Sequence, residues 1–486
     1  MVSPGALVSL PVARRLRGAA GYAGCCLVAV GIGWGATQAI LVRVVLALAL
    51  VLIILALGLR MPRALLYSTL AWLVALGLVR RMLISVGDAG PTDPLLLVSP
   101  LAVAVLILAA LRSGALASPS GMTKCVLAFN LLTVLSVLNP TQGGLLVGLA
   151  GLLFVLVPMA WFWVGRALVD DDTLSVVMRL IAGAALLSAL YGLSQTLVGL
   201  TSFDRAWADR VGAEFAAIRV GNTIRAFGPF TSASDYTLYL AIAAIALLAA
   251  STRFRFTIVS LVPLAVVLVA IVLSGTRGNV VGVLLASGII LAARWSLGLT
   301  KAVMIGVGLV VVLVLSLGRV EPANFSDART APLLTRQVAG LANPLDDKES
   351  TVGIHLKLGA LGLQSALSHP FGRGAGATTI AGSKFGGSAF GTETDPSNAA
   401  VGLGIPGLLL YLALVPMAVS RAYRRAHEER TVVTLFVLGV LVITGLQWLN
   451  GGNYASAPIV WLAIGWLDRP RDLDTAGEGE QALATT

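Results

Sequence analysis

Charge is scarce in this sequence: Asp, Glu, Lys and Arg make up 12% of its 486 residues, while 57% are hydrophobic. A soluble globular domain carries about twice that share of charge, so a soluble fold is excluded. Cysteine is nearly absent. Cys25, Cys26 and Cys125 all lie inside apolar runs, where a thiol acts as a small hydrophobe, so neither a disulfide framework nor a thiolate metal site is indicated. The ten-residue alternation of an outer-membrane barrel is missing, as is any internal repeat. What remains is a succession of continuous Leu, Val, Ala and Ile stretches, each long enough to cross a hydrocarbon core. In lipid every backbone polar group must be satisfied internally, so these stretches read as helices.

The sequence therefore predicts an all-α polytopic membrane protein. Candidate spans fall at 19–36, 41–59, 64–85, 95–111, 124–138, 144–165, 174–199, 235–251, 256–273, 278–293, 302–318, 397–419, 431–449 and 454–467. That is about fourteen transmembrane helices, with twelve to fourteen as the range. The chain divides into N-terminal spans (1–199), a first long loop (200–234), central spans (235–318), a large loop (319–396), C-terminal spans (397–467) and a polar tail (468–486). Arg14, Arg15 and Arg17 precede the first apolar run as in a signal peptide. The run has no small-residue cleavage site, so a retained helix is expected.

The net charge of +11 is scattered between spans rather than gathered on a soluble face, which argues against a nucleic-acid partner. Its positions set topology instead. Alternation from a cytoplasmic N-terminus puts Arg60/Arg63, Arg112/Lys124, Arg166, Arg253/Arg255, Arg294/Lys301, Arg421/Arg424/Arg425/Arg430 and Arg469/Arg471 on the inside, as the positive-inside rule requires. Both termini are then cytoplasmic, the expected location is the cytoplasmic (inner) membrane, and both long loops lie outside. Those loops nevertheless carry many cations, among them Arg205, Arg210, Arg219, Arg225, Arg329, Arg336 and Arg373. Cations that orientation does not require are explained most simply by binding of an anion. Within the larger loop, Leu356, Ala360, Leu363 and Leu367 form one stripe and Lys357, Gln364 and Ser368 another, the pattern of an interfacial amphipathic helix over 351–368.

Three polar segments stand out. The first is Ser274-Gly-Thr-Arg277-Gly278-Asn279, an island between two spans on the outer side. It is either an ordinary turn or a site, and an arginine placed there is unhelpful for orientation. The second is Arg219 to Phe230, with Arg219 and Arg225 beside a Gly-Pro pair and Asp235-Tyr236 following at the start of a span. These arginines are snorkelling groups or anion ligands. The third runs from His369-Pro-Phe-Gly372-Arg373-Gly374 through glycine-rich sequence to Glu393, Asp395 and the Gly404-Ile-Pro-Gly407 segment opening a span. It is a flexible loop or a phosphate cradle, although it lacks Walker spacing.

Together these segments resemble the O-antigen polymerase and ligase family of membrane glycosyltransferases. The likeness covers about residues 190–420. It rests on Arg-x-Phe-Gly-x-Phe (Arg225 to Phe230), Ser-x-x-Arg-Gly (Ser274 to Gly278), His-Pro-x-Gly-x-Gly (His369 to Gly374) and Gly-Ile-Pro-Gly (Gly404 to Gly407). The resemblance implies transfer of a glycan from a polyprenyl-diphosphate carrier to a glycan or lipid acceptor on the outer face, with inversion. It implies no nucleotide sugar, cofactor or metal. Arg219 or Arg225, together with Arg277, would hold the diphosphate. The chain departs from the ligases at the position eleven residues before Gly404, where they carry histidine and this sequence has Glu393. Glu393 or neighbouring Asp395 is then the candidate catalytic base. His355, His369 and Arg373 are candidate substrate contacts.

The expected activity is polysaccharide polymerisation, with an O-antigen-type ligase as the close alternative. A transporter or flippase of polyprenyl-linked glycans would instead place ionisable residues near the midplane and show inverted repeats. A metal-dependent glycosyltransferase would draw on Asp88, Asp93, Asp204, Asp209 and Glu214, which show no distinctive ligand spacing.

Overall fold

The computed structural model describes residues 39–84, 93–211, 218–220, 223–254, 258–317, 319–320, 327–346, 351–378, 382, 390, 392, 394–445, 447–449 and 452–470. The first predicted span, the C-terminal tail beyond 470, Asp88, Glu214 and Glu393 lie outside them. Sixteen α-helices form among the described residues. In chain order they are α1 (Ala39–Arg60), α2 (Pro62–Met82), α3 (Val98–Arg112), α4 (Gly121–Ser136), α5 (Leu145–Leu168), α6 (Asp171–Leu197), α7 (Ser202–Val211), α8 (Ala233–Phe254), α9 (Ile258–Leu273), α10 (Arg277–Arg294), α11 (Leu299–Leu317), α12 (Ala331–Ala342), α13 (Val352–Ser368), α14 (Asp395–Glu429), α15 (Val432–Ile443) and α16 (Ser456–Leu467). Two short strands, β1 (Arg219–Val220) and β2 (Thr223–Ile224), pair antiparallel in the first long loop.

Among the described residues eight helices are long and apolar enough to cross a membrane: α2, α3 with the turn before it, α5, α6, α8, α10, α11 and α14. Five shorter apolar helices occupy further predicted spans: α1, α4, α9, α15 and α16. The brevity of the last two has a reason in their packing. Each has twelve residues and so extends only about 18 Å, but nearly every side chain of both is buried. They form the centre of the bundle, with Trp161, Trp448, Trp461 and Trp466 completely enclosed around them. Between α15 and α16 the described residues leave helical geometry, and Thr444, Trp448, Asn453 and Ala455 among them are buried in protein. At the periphery α11 buries only Ala302 and Gly306, which meet the neighbouring α10.

Charged side chains gather at the two ends of the bundle. At one end Asp468 accepts from Ser120 Oγ (2.7 Å) and Arg421 (2.9 Å) and lies beside Arg166, while Arg63 pairs with Asp170. These residues belong to connections that alternation assigns to the inside. The other end joins the connections assigned to the outside. There Arg80 (2.8 Å) and Arg43 both bind the buried Asp93, and Arg81 pairs with the buried Asp204 at 2.9 Å. Two of the carboxylates considered for a metal are thus engaged by arginines. A third, Asp209, lies 3.4 Å from Arg219 at the surface.

The predicted interfacial helix is α13. It packs on α14 through its small residues Gly362, Ser365 and Ala366, while Leu356, Leu363 and Leu367 remain exposed. An apolar stripe turned away from the protein suits a helix lying against lipid.

Candidate functional site

The Arg225 to Phe230 segment is clamped before it reaches α8. Gln195 Oε1 accepts from the backbone N–H groups of Phe227 (3.1 Å) and Gly228 (2.9 Å). Arg81 donates to the carbonyls of Gly228 and Phe230, and its guanidinium lies 4.6 Å from the Phe227 ring centre. Asp204 holds this clamp in place, accepting from Tyr191 Oη (2.6 Å) and Gln195 Nε2 (2.9 Å) as well as pairing with Arg81. Sequence reasoning gave Arg81, Asp204 and Gln195 no role here, because Arg81 and Gln195 act on backbone atoms of a distant segment and Asp204 acts only through them and Tyr191.

The clamp fixes the direction of Arg225. Its side chain is buried and reaches across to the Ser274 turn, where Nε donates to the Ser274 carbonyl at 2.7 Å and Nη2 to Thr276 Oγ1. Thr276 also lies 3.2 Å from Thr237 Oγ1 on α8. The next residue, Arg277, is the first of α10 and half-buried. Its guanidinium lies against Gly340 of α12, so closely that a Cβ there would stand 1.4 Å from Nη1. Only glycine admits the side chain in this position. The Arg225 cation is held down to about 10, first by burial and then by the nearby charges of Arg336 and Arg277. The fold thus brings three guanidinium groups together from a loop, a helix start and α12. Arg225 is buried there and Arg277 and Arg336 are half-buried, and like charges held close together favour an anion beside them.

Arg225 and Arg277, predicted as a pair, are therefore brought together. Arg219 is not part of this group: it sits exposed on β1 beside Asp209. Arg336 was noted in the sequence only as one loop cation among many. No local motif marks it, since its position depends on how α12 packs.

The His369 to Gly376 segment proves to be a lock on α14. Arg373 N donates to the Val401 carbonyl (2.7 Å), Gly374 N to Gly402 (2.9 Å) and Ile405 N to Pro370 (2.9 Å). These bonds satisfy the backbone where α14 breaks at Gly404, whose φ of 70° and ψ of −156° are not helical. A Cβ at Gly404 would lie 2.1 Å from the Pro370 carbonyl. The Gly404-Ile-Pro-Gly407 segment, expected to open the span, instead interrupts it. Gln142 and Asn139, from the turn between α4 and α5, seal the other side by bonding Gly376 N (3.2 Å) and Gly372 O (2.9 Å). The Arg373 side chain donates to Ser365 Oγ at 3.1 Å and lies over Phe390. His369 is half-buried with Nδ1 2.9 Å from Ser368 Oγ, and His355 is exposed beside Thr351.

Asp395 starts α14 and is fully enclosed. Its Oδ2 accepts from Tyr411 Oη (2.9 Å), Leu449 N (2.9 Å) and Trp448 N, while Oδ1 has no hydrogen-bond partner among the described residues. Asp235 does similar work at the start of α8, accepting from Ser456 Oγ at 2.8 Å. Two buried carboxylates thus fasten Trp448 and Leu449 after α15 and Ala455 and Ser456 at the start of α16. Among the described residues no group of three or more His, Cys, Asp or Glu is arranged to hold a metal ion. No protein-family model matches the chain, and no curated protein sequence matches it.

Proposed function

We propose that the protein is a membrane glycosyltransferase acting on a polyprenyl-diphosphate-linked oligosaccharide at the outer face of the cytoplasmic membrane. Polymerisation of a polysaccharide is the favoured reaction, and a ligase that delivers the glycan to another acceptor is its closest variant. The observation that carries this reading is the convergence of Arg225 and Arg277 at the end of the bundle assigned to the outside.

In the proposed step the acceptor hydroxyl attacks the anomeric carbon of the donor sugar. The bond from that carbon to the diphosphate oxygen breaks, and its electron pair leaves with the diphosphate. The anomeric configuration inverts. Negative charge grows on the departing group in the transition state, and guanidinium groups fixed in advance stabilise it there. Of the two candidate bases, Glu393 takes the proton of the acceptor hydroxyl, since Asp395 is enclosed among Tyr411 and the backbone N–H groups of Trp448 and Leu449. A transporter reading is less well supported, because buried cations such as Arg43, Arg81 and Arg166 pair with Asp93, Asp204 and Asp468 at the helix ends, rather than forming an ionisable path through the midplane.

The test is transfer by purified protein in liposomes, using a lipid-linked oligosaccharide donor. Arg277→Ala and Arg277→Lys both abolish transfer while remaining folded, since lysine keeps the charge but loses the planar fork. Normal transfer by the alanine variant would remove Arg277 from the site. Mass analysis of lipid-linked glycans that accumulate in a deletion strain identifies the donor.

A further inference from the structure

α12 carries two side chains that the reading above leaves unused. Leu333, Gln337 and Leu341 share one buried stripe, packed toward α9, α10 and α11. Gln337 is only 3% exposed, yet neither its Oε1 nor its Nε2 has a hydrogen-bond partner among the described residues. The same holds for the buried Nε of Arg336. One turn further on, Gly340 lies under the Arg277 guanidinium.

An unpaired buried carboxamide is unfavourable, and leucine would fill the same space without that penalty. A carboxamide offers one acceptor and two donors, which matches a hydroxyl or acetamido group on a sugar. A guanidinium offers a fork that matches phosphate. Consecutive helical residues point about 100° apart, so one helix can address both halves of a molecule in which phosphate and sugar are joined. The start of α12 is itself tethered: Arg329 donates to the Val198 carbonyl at 2.7 Å, and Asp327 accepts from Thr330 N at 2.9 Å. The helix is held in place before any ligand arrives.

We propose that α12 binds the donor at the junction of diphosphate and first sugar, with Arg336 as a third ligand to the diphosphate and Gln337 hydrogen-bonding the sugar. This rests on the diphosphate reading given above. The experiment measures binding of inorganic pyrophosphate, bare polyprenyl diphosphate and a polyprenyl diphosphate carrying one sugar to the full-length protein in detergent. Arg336→Ala weakens all three by about tenfold, and Arg336→Lys recovers only part of the loss. Gln337→Leu weakens the sugar-bearing ligand alone, by about tenfold, while its melting midpoint stays at or above that of the wild type.

Arg277→Ala separates the two ideas. If it loses pyrophosphate binding while Arg336→Ala and Gln337→Leu bind all three ligands normally, the diphosphate site stands and the role of α12 is overturned. If Arg277→Ala also binds pyrophosphate like the wild type, the diphosphate reading itself fails. A lower melting midpoint in Gln337→Leu with unchanged binding would make the amide structural and overturn its assignment to the sugar.

Discussion

Two arginines side by side repel unless something anionic lies between them, and the chemistry of Arg225 turns on that fact. Burial and the neighbouring Arg336 and Arg277 lower its proton affinity to about 10, so the cation persists through neutral pH and disappears as pH rises through that value. Affinity for a sugar-bearing polyprenyl diphosphate, a diester with no proton to lose near neutrality, is therefore expected to stay level across the neutral range and to fall only above about pH 10, as titration calorimetry at stepped pH would reveal. A decline near neutrality would point to a different titrating group. The two candidate bases are also separable at this scale. Asp395 accepts from two backbone N–H groups and a tyrosine, so Asp395→Asn turns an amide donor against donors and costs about 1–3 kcal/mol of stability. Glu393→Gln is expected to leave the melting midpoint alone and to lower turnover about 100-fold. Equal turnover in both variants and the wild type excludes a carboxylate base and makes His369 the next candidate.

Among the elements, α14 shows how far sequence reasoning reached and where it stopped. Its glycines and prolines were visible as punctuation, and the His369 to Gly374 segment was visible as a motif. Their mutual engagement was not, because the bonds from Arg373, Gly374 and Ile405 link backbone atoms about thirty residues apart in the chain. The glycine-rich stretch was open to a phosphate-binding reading, whereas the described part of it is structural. Gly404→Ala forces a side chain into left-handed backbone and against the Pro370 carbonyl, so a loss of about 3 kcal/mol or more is expected. A melting curve in detergent measures it, and an unchanged midpoint would mean that the break can relax. Arg225 and Arg277 were legible because each stands in a short motif next to a span. Arg81, Asp204, Gln195 and Gln337 were not, since nothing beside them in sequence differs from ordinary helix.

For the molecule as a whole, apolar run length was enough to locate most of the described helices, while the inside bias of cations gave an expected sorting of their ends. The ionic groups around Asp468 and Asp93 gather on opposite ends of the bundle, in keeping with that sorting. Run length could not reveal that α15 and α16 are central and short, because a helix enclosed by protein and one facing lipid are equally apolar. The orientation is open to direct measurement. Reporter fusions at Arg210 and Ser350 are expected to read outside, and fusions at Phe254, Leu297 and Arg425 inside. A cytoplasmic signal at Ser350 would overturn the assignment of the arginine cluster to the outer face.

The two helices at the centre come after most of the helices that enclose them in the order of the chain. The other helices packed against α15 and α16 are synthesised before them, so those helices enter the bilayer with faces later covered by protein still turned to acyl chains. Exchanging lipid for protein on those faces gains little from hydrophobicity, because both are apolar. The contacts made there are polar: Asp395 and Asp235 take up the backbone donors of Trp448, Leu449 and Ala455 and the hydroxyl of Ser456 only once those residues exist. The arginine cluster can form earlier, from the loop, the Ser274 turn and α12. In a nascent chain the arginine cluster can therefore assemble before the contacts that Asp395 and Asp235 make.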